Sequence, residues 1–260
     1  LMKGADNVMA RIIDDSDWLL EECNNLAREG LRTLVFGYKR LGEEDYRAFQ
    51  EQYNAAATLM TGRDEAVQRV VETLEHDLQA LCITGVEDEL QDNVQQTLEM
   101  LKQANVRVWM LTGDKVETAT CIAKSTKLVD IDDELVEFFV ADEAAAYDLI
   151  GRHEGTMHMK ALIVDGASLS LMLSRMPKPF VDFALTAKSV VCCRCLPSQK
   201  AEIVRLVKAS GLLTCAIGDG GNDVSMIQEA DVGIGIEGKE GKQASMAADF
   251  SVRQFSHMLH

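Results

Sequence analysis

The stretch "TCAIGDGGNDVSMIQEADVGIGI", residues 214–236, runs an apolar strand straight into two aspartates, three glycines and an asparagine. A turn alone has no use for both acids. Asp219 stands where the run Cys215-Ala216-Ile217 ends, and Asp223 follows four residues later, where a helix-like segment opens. Two carboxylates about 4 Å apart repel by roughly 4 kcal/mol at an effective dielectric near 20. Mg²⁺ is a natural counterweight, because it prefers hard oxygen ligands. The glycines let the backbone approach a ligand closely, and Asn222 can cap the next helix or donate to that ligand. An Asx-rich loop with a helix cap would use the same residue types. The complete G-D-G-x-N-D pattern after an apolar strand is what points to a metal-phosphate site.

Outward from this stretch, short apolar runs alternate with helical patterns. "VRVWML", "KALIV", "SVVCC", "LTCAI" and "VGIGI" read as buried strands, and "ETATCIAKS" and "SQKAEIVRLVKAS" as helices between several of them. "LQDNVQQTLEMLKQA" places Leu90, Val94, Leu98 and Leu101 on one helical face. Strands and helices in this order describe an α/β fold with a parallel sheet covered on both faces. Before residue 87 the pattern differs: a strand-like "GLRTLVFGYKRL" lies among polar helical segments at 43–57 and 64–76. The cluster Glu43-Glu44-Asp45 reads as a solvated helix start.

The bulk properties narrow the function. With 260 residues the chain can bury a full core, in one large domain or two modest ones. A formal charge of −16 argues against a nucleic-acid partner, which needs clustered Lys and Arg. It leaves room for a nucleotide, since a few local cations or one metal ion outweigh the global field. No apolar run reaches the 18 or so residues of a membrane span, and no signal peptide is present. Three of the seven cysteines crowd into "VVCCRC" (Cys192, Cys193, Cys195), where strand alternation sends neighbours to opposite faces. Without histidines nearby they are not expected to hold zinc, and they read as reduced cytosolic thiols used as small apolar residues.

In parallel α/β sheets, ligands bind beyond the carboxyl ends of the strands. Thr112-Gly113-Asp114, Arg194, Asp219 and Asp165-Gly166 all fall at such ends. Asp114 and Glu117 fit an acidic capping box, while Thr112 and Gly113 offer a hydroxyl and a bare N–H to a phosphate oxygen. Lys200 falls in the first turn of a helix, where the macrodipole disfavours a cation, so it reads as a charge neutraliser for phosphate and aspartate. Arg194 can bind a second phosphoryl group or a ribose. Phosphoryl transfer of the haloacid-dehalogenase type also requires an aspartate nucleophile in D-x-x-x-T. Asp165 lacks the fifth-position Thr, though Ser168 is near, and Asp114, with Thr118 four residues on, already occupies the Thr motif. The nucleophile is missing.

The motifs "LMKGAD", "GLRTL", "TGVEDELQ", "VWMLTGDKVETA", "VVCCRCLPSQK" and "AIGDGGNDVSMIQEADVGIGIEGKEGKQASMAADF" resemble, in order and over essentially the whole chain, the cytosolic half of a P-type ATPase. "VEDELQ", "DVSMI" and "EGKQASMAADFS" point to the phospholipid-translocating (flippase) subfamily, and "GDKVETATCIAKS" with "CCRCLPSQK" to its class IIA/IIB (Neo1-like) branch. Residues 141–160 are the least family-like, and Leu196 stands where a small polar residue is expected.

The resemblance implies the C-terminal part of an α+β nucleotide-binding domain over residues 1–86. Over 87–260 it implies a haloacid-dehalogenase-like Rossmannoid phosphorylation domain lacking its nucleophile strand. It implies ATP and Mg²⁺ as cofactors, phospholipid as the transported partner, and an aspartyl-phosphate formed upstream of a chain that opens inside the nucleotide-binding domain. Lys3 would lie along the nucleotide and Arg32 on its phosphates or ribose. Thr112, Gly113 and Asp114 would meet the phosphoryl end, Arg194 and Lys200 the transferred phosphate. Asn222 and Asp223 would complete that site, and Asp219 would hold Mg²⁺ with Asp223. The parent would sit in a Golgi or endosomal membrane with this portion on the cytosolic face. Loss of one strand would leave an open sheet edge and promote self-association. A soluble phosphatase of the same superfamily and a non-catalytic nucleotide-binding fragment are the alternatives.

Overall fold

A computed structural model describes residues 1–14, 17–87, 89–238 and 242–259, so Lys239, Glu240 and Gly241 of the last motif, and Asp88 of "VEDELQ", lie outside the described residues. Two compact units divide the chain, Leu1–Asp88 and Glu89–His260.

The first unit contains β1 (Met2–Gly4), α1 (Asp6–Met9), α2 (Asp17–Arg28), β2 (Arg32–Tyr38), α3 (Glu43–Ala57), α4 (Arg63–Glu72) and β3 (Gln79–Val86). Its antiparallel sheet has the order β1-β2-β3. Met9, Ile13, Leu19, Cys23, Val35 and Leu78 form the core on one face. Strand alternation then sets Arg32, Leu34 and Phe36 on the other face, and Lys3 pairs directly with Phe36. The helix expected at 64–76 stops at Glu72; beyond it Asp77 turns left-handed (φ 50°) and Leu78 forms a parallel bridge with Ile13. Glu43, Glu44 and Asp45 open α3 and are exposed, as the charge run predicts.

The second unit runs α5 (Val94–Gln103), β4 (Trp109–Leu111), α6 (Val116–Ser125), β5 (Glu134–Phe138), α7 (Glu143–His153), β6 (Lys160–Val164), α8 (Gly166–Arg175), α9 (Pro177–Ala184), β7 (Ser189–Cys192), α10 (Pro197–Ala209), β8 (Cys215–Gly218), α11 (Val224–Glu229), β9 (Val232–Ile236), α12 (Gln243–Ala247) and β10 (Phe250–Val252). Leu90 lies outside its expected helix and is exposed; the left-handed Asn93 (φ 62°) turns the chain just before α5 starts.

All strand pairs of this unit are parallel, but they form two sheets rather than the single one the pattern predicts, β4-β7-β6-β5 and β10-β9-β8. Alternate residues of β5, β6 and β7 enter two cores. Val136, Phe138, Leu162, Val164, Val190 and Cys192 pack with α8, α9 and α10. Ala161, Ile163, Val191 and Cys193 pack on the opposite face with Leu98 of α5 and Ala119 and Ala123 of α6. Cys192 and Cys193 thus go to opposite faces, as alternation requires. The smaller sheet is covered by Val204 of α10, Met226 and Ile227 of α11, and Ala244 of α12. Gly235 allows that closeness, since a Cβ there would come within 2.4 Å of the Ser245 backbone. β4 and β8 are each an outer strand of their own sheet, and Leu111 at the end of β4 packs against both the larger core and the core of the smaller sheet.

Candidate active site

The two strand ends nearest each other in chemistry are those of β8 and β4. Beyond β8 the chain passes through Asp219 into a 3-10 turn at Gly221–Asp223 and then into α11. Asp223 takes the cap position of α11, while Asn222 lies exposed within the 3-10 turn, so the cap expected of Asn222 belongs to its neighbour. Asp223 folds back over the strand end: a Cβ on Gly218 would lie 2.4 Å from the Cβ of Asp223. Only a glycine admits that approach.

Lys200 comes from α10. Pro197 opens this helix at a position where its missing N–H costs nothing. The Leu196 N–H donates to Gln199 Oε1 (2.8 Å), and Gln199 Nε2 donates to Ser170 Oγ on α8 (2.7 Å). The helix start is thereby fixed, and Lys200 Nζ donates to Asp223 Oδ1 at 2.8 Å. Both side chains are largely buried, 9% and 14% exposed. Asp223 is therefore neutralised by an ammonium directly, and the charge balance of the pair of acids does not rest on a metal alone. Asp219 is exposed and, among the described residues, makes no hydrogen bond or ion pair.

At the end of β4, the Thr112 hydroxyl donates to Asp114 Oδ2 (2.9 Å) and accepts from the Asp114 N–H (3.1 Å). The cap position of α6 is Lys115, not Asp114, and its side chain makes no capping bond, so the expected acidic capping box does not form and Asp114 braces Thr112 instead. Gly113 opens on free space, with nothing within 4 Å of an added Cβ. Three backbone bonds stitch this loop to the end of β7: Thr112 N–H to Cys192 O (2.9 Å), Arg194 N–H to Asp114 O (2.9 Å) and Cys195 N–H to Thr112 O (2.8 Å). They hold Arg194 in a left-handed conformation (φ 51°), which costs a non-glycine residue about 1–2 kcal/mol. Asp165 is occupied structurally, capping α8 by accepting from the Ser168 N–H (2.9 Å).

The structure thus joins Lys200 to Asp223, and Thr112 and Asp114 to the Arg194 loop. Lys3 and Arg32 belong to the first unit and share the outer face of its sheet with Phe36. Sequence reasoning missed one pairing that was visible: Cys192 and Cys195 stand at C-x-x-C spacing. A free, exposed carboxylate beside a second one suits Mg²⁺, which binds through one or two protein carboxylates and leaves its other positions to phosphate and water. Among the described residues no group of three His, Cys, Asp or Glu side chains could hold a metal, so a site supplied wholly by protein ligands is not what these residues build.

The haloacid dehalogenase-like hydrolase family matches residues 8–153, more than half of the chain. The chain belongs to that family. The match spans both units and includes Thr112, Gly113 and Asp114, while Lys200, Asp219 and Asp223 of this haloacid dehalogenase-like chain lie beyond it. Over almost its full length the chain is also similar to curated relatives. It is 53% identical over 258 residues to a probable phospholipid-transporting ATPase IIB of Danio rerio, covering 99% of this chain and 23% of the relative. The human protein of the same description is also 53% identical, with 99% and 22% covered. The phospholipid-transporting ATPase NEO1 of Saccharomyces cerevisiae is 47% identical over 269 residues, with 99% and 23% covered. The chain therefore spans less than a quarter of the length of these relatives. Among the described residues no helix is long and apolar enough to cross a membrane.

Proposed function

We propose that this chain is the ATP-handling, cytosolic portion of a P-type ATPase that moves phospholipid to the cytosolic leaflet, in a Golgi or endosomal membrane. The buried Lys200–Asp223 pair at the end of a parallel strand, beside the exposed Asp219, carries the reading. The similarity to phospholipid-transporting ATPases over 99% of the chain supports it. In this proposal residues 1–86 belong to the nucleotide-binding domain and residues 87–260 to the phosphorylation domain. Lys3 and Arg32, with Phe36 between them on one sheet face, bind the nucleotide. Thr112, Gly113, Arg194 and Lys200 receive phosphoryl oxygens, Asp114 and Asn222 hold the neighbouring part of the site, and Asp219 with Asp223 holds Mg²⁺. The bound Mg²⁺ supplies charge neutralisation at the phosphate.

The reacting aspartate comes from elsewhere in the longer protein. Among the described residues β4 and β8 each leave one edge unpaired, and a strand ending in D-x-x-x-T between them would place its aspartate beside both Thr112 and Lys200. The 260-residue chain alone then binds nucleotide and Mg²⁺ without turnover. The test is acid-stable, hydroxylamine-sensitive labelling from γ-labelled ATP and Mg²⁺. The expected result is no label on this chain, label when the preceding segment is included, and loss of that label in Asp219→Asn. A stoichiometric label on the chain alone would move the nucleophile to Asp114 or Asp165 and overturn the assignment.

A further inference from the structure

We propose that Cys192 and Cys195 are a redox modification site, forming a reversible disulfide when a peroxide oxidises them and tying the end of β7 to the start of α10. The geometry is what brings them together. In an extended strand, residues three apart point to opposite faces. Here Cys192 and Cys195 are buried in the same core cluster, while Cys193 lies in the cluster across the sheet. The left-handed Arg194 between them makes the difference, turning the chain so that the second thiol swings back to the first. The Cys195 thiol lies back over the turn, its Sγ reaching the Cys193 carbonyl oxygen at 4.0 Å. Backbone bonds from Thr112 to Cys192 and from Cys195 to Thr112 fix the turn from the other side.

The two sulfurs are chemically unequal. The neighbouring Cys192 thiol, the nearby Lys200 ammonium and the Thr112 backbone hold the Cys195 thiol below the ordinary range. The neighbouring Cys195 and burial push Cys192 up. Cys193 is pushed up to about 12, chiefly by burial, and stays an unreactive thiol. Cys195, the less deeply buried of the pair and the one that adjoins the start of α10, is the attacking sulfur. Its thiolate displaces one oxygen of the peroxide as the O–O bond breaks, giving a sulfenic acid and a hydroxide that takes the thiol's proton as water. The Cys192 sulfur then attacks the Cys195 sulfur, the S–O bond breaks, and a second water leaves with the Cys192 proton. Two thiols and one peroxide give one disulfide and two waters. A dithiol reverses the step by exchange.

The closed ring encloses Arg194 and ends one residue before the cap of α10, five residues before Lys200. Oxidation thus stiffens the segment that joins the Thr112 loop to Lys200.

The test uses the chain with the exposed Cys82 and Cys215 replaced by serine, which leaves five thiols. Hydrogen peroxide is expected to lower the free thiols from five to three, with a mass loss of about 2 Da, two hydrogens. Peptide mapping should place the bond between 192 and 195, and a dithiol should restore all five thiols. Cys193→Ala, an equally buried substitution, should behave like its parent, while Cys192→Ala and Cys195→Ala should not lose two thiols together. Exchange of the Thr112 and Lys200 amides should slow on oxidation and not in Cys195→Ala. A bond to any other cysteine, or over-oxidation of Cys195 with Cys192 still free, would overturn the site. A 192–195 bond that leaves both amides unchanged would overturn its coupling to Lys200.

Discussion

Removing the carboxylate of Asp223 should unfold the second unit more readily than removing both members of its pair. With Nζ and Oδ1 2.8 Å apart, the attraction is about 6 kcal/mol at an effective dielectric near 20. Desolvation opposes it by several kcal/mol per ion, so the intact pair contributes little net stability. Asp223→Ala removes the attraction and leaves the 9%-exposed Lys200 side chain stranded, which costs about 3–5 kcal/mol. Adding Lys200→Met removes the stranded charge and keeps most of the apolar stem. The double variant should therefore be more stable than Asp223→Ala alone, a change of sign that a packing loss cannot produce. Urea unfolding at neutral pH, followed by circular dichroism and extrapolated linearly, measures all four corners of the cycle. If the double variant is as unstable as the two single losses added together, the pair is not coupled as described and the site's electrostatics must be redrawn.

Gly218→Ala should cost about 1–3 kcal/mol by overpacking, because its new Cβ meets the Asp223 Cβ at 2.4 Å; the same variant should lose the Lys200 contact, seen as faster amide exchange at 220–224. Away from the site, Lys188 Nζ reaches Asp130 Oδ2 at 2.7 Å and Asp133 Oδ1 at 2.6 Å, and its hydrogen bond holds the Asp130 carboxyl below the usual range. A depressed folded-state pKa means that stability is present above the unfolded value of about 3.9 and is lost as pH falls through the folded one. Lys188→Met should therefore destabilise at pH 7 and do so progressively less as the pH drops through the Asp130 titration; an effect that is flat with pH would refute the pairing.

The elements that show one clear period in sequence are the ones that were legible. "KALIV" and "VGIGI" are β6 and β9 residue for residue, and the polar segment 43–57 is α3. The strand-end rule points to Thr112, Arg194 and Asp219, while Lys200 is read from its place in a first helical turn and Asp223 from the G-D-G-x-N-D pattern. What it could not reach depends on contacts distant in sequence. β1 and β3 gain their strand character by pairing with β2, and β3 alternates poorly because its register against β2 slips by one residue at Leu81, opposite Phe36/Gly37. Nothing in "CCRC" announces a left-handed arginine, since that conformation is imposed by bonds to Asp114 and Thr112, some 80 residues earlier. The partner chosen by Lys200 was equally hidden. The helix turn placed its ammonium at the right edge, but selecting Asp223 over Asp219 required the close approach at Gly218. C-x-x-C is the opposite case: the 192–195 spacing stands in plain view, but the sequence reading applies alternation only to neighbouring cysteines and passes over the spacing.

α10 packs on α8 and α9 over the larger sheet and on α11 over the smaller one, so a single helix covers both. Its fluctuations are therefore shared. When α10 lifts, Leu111 at the end of β4 loses packing in both cores and the Asp219–Asp223 loop loses its lysine in the same event, so the two strand ends loosen as one cooperative unit rather than independently.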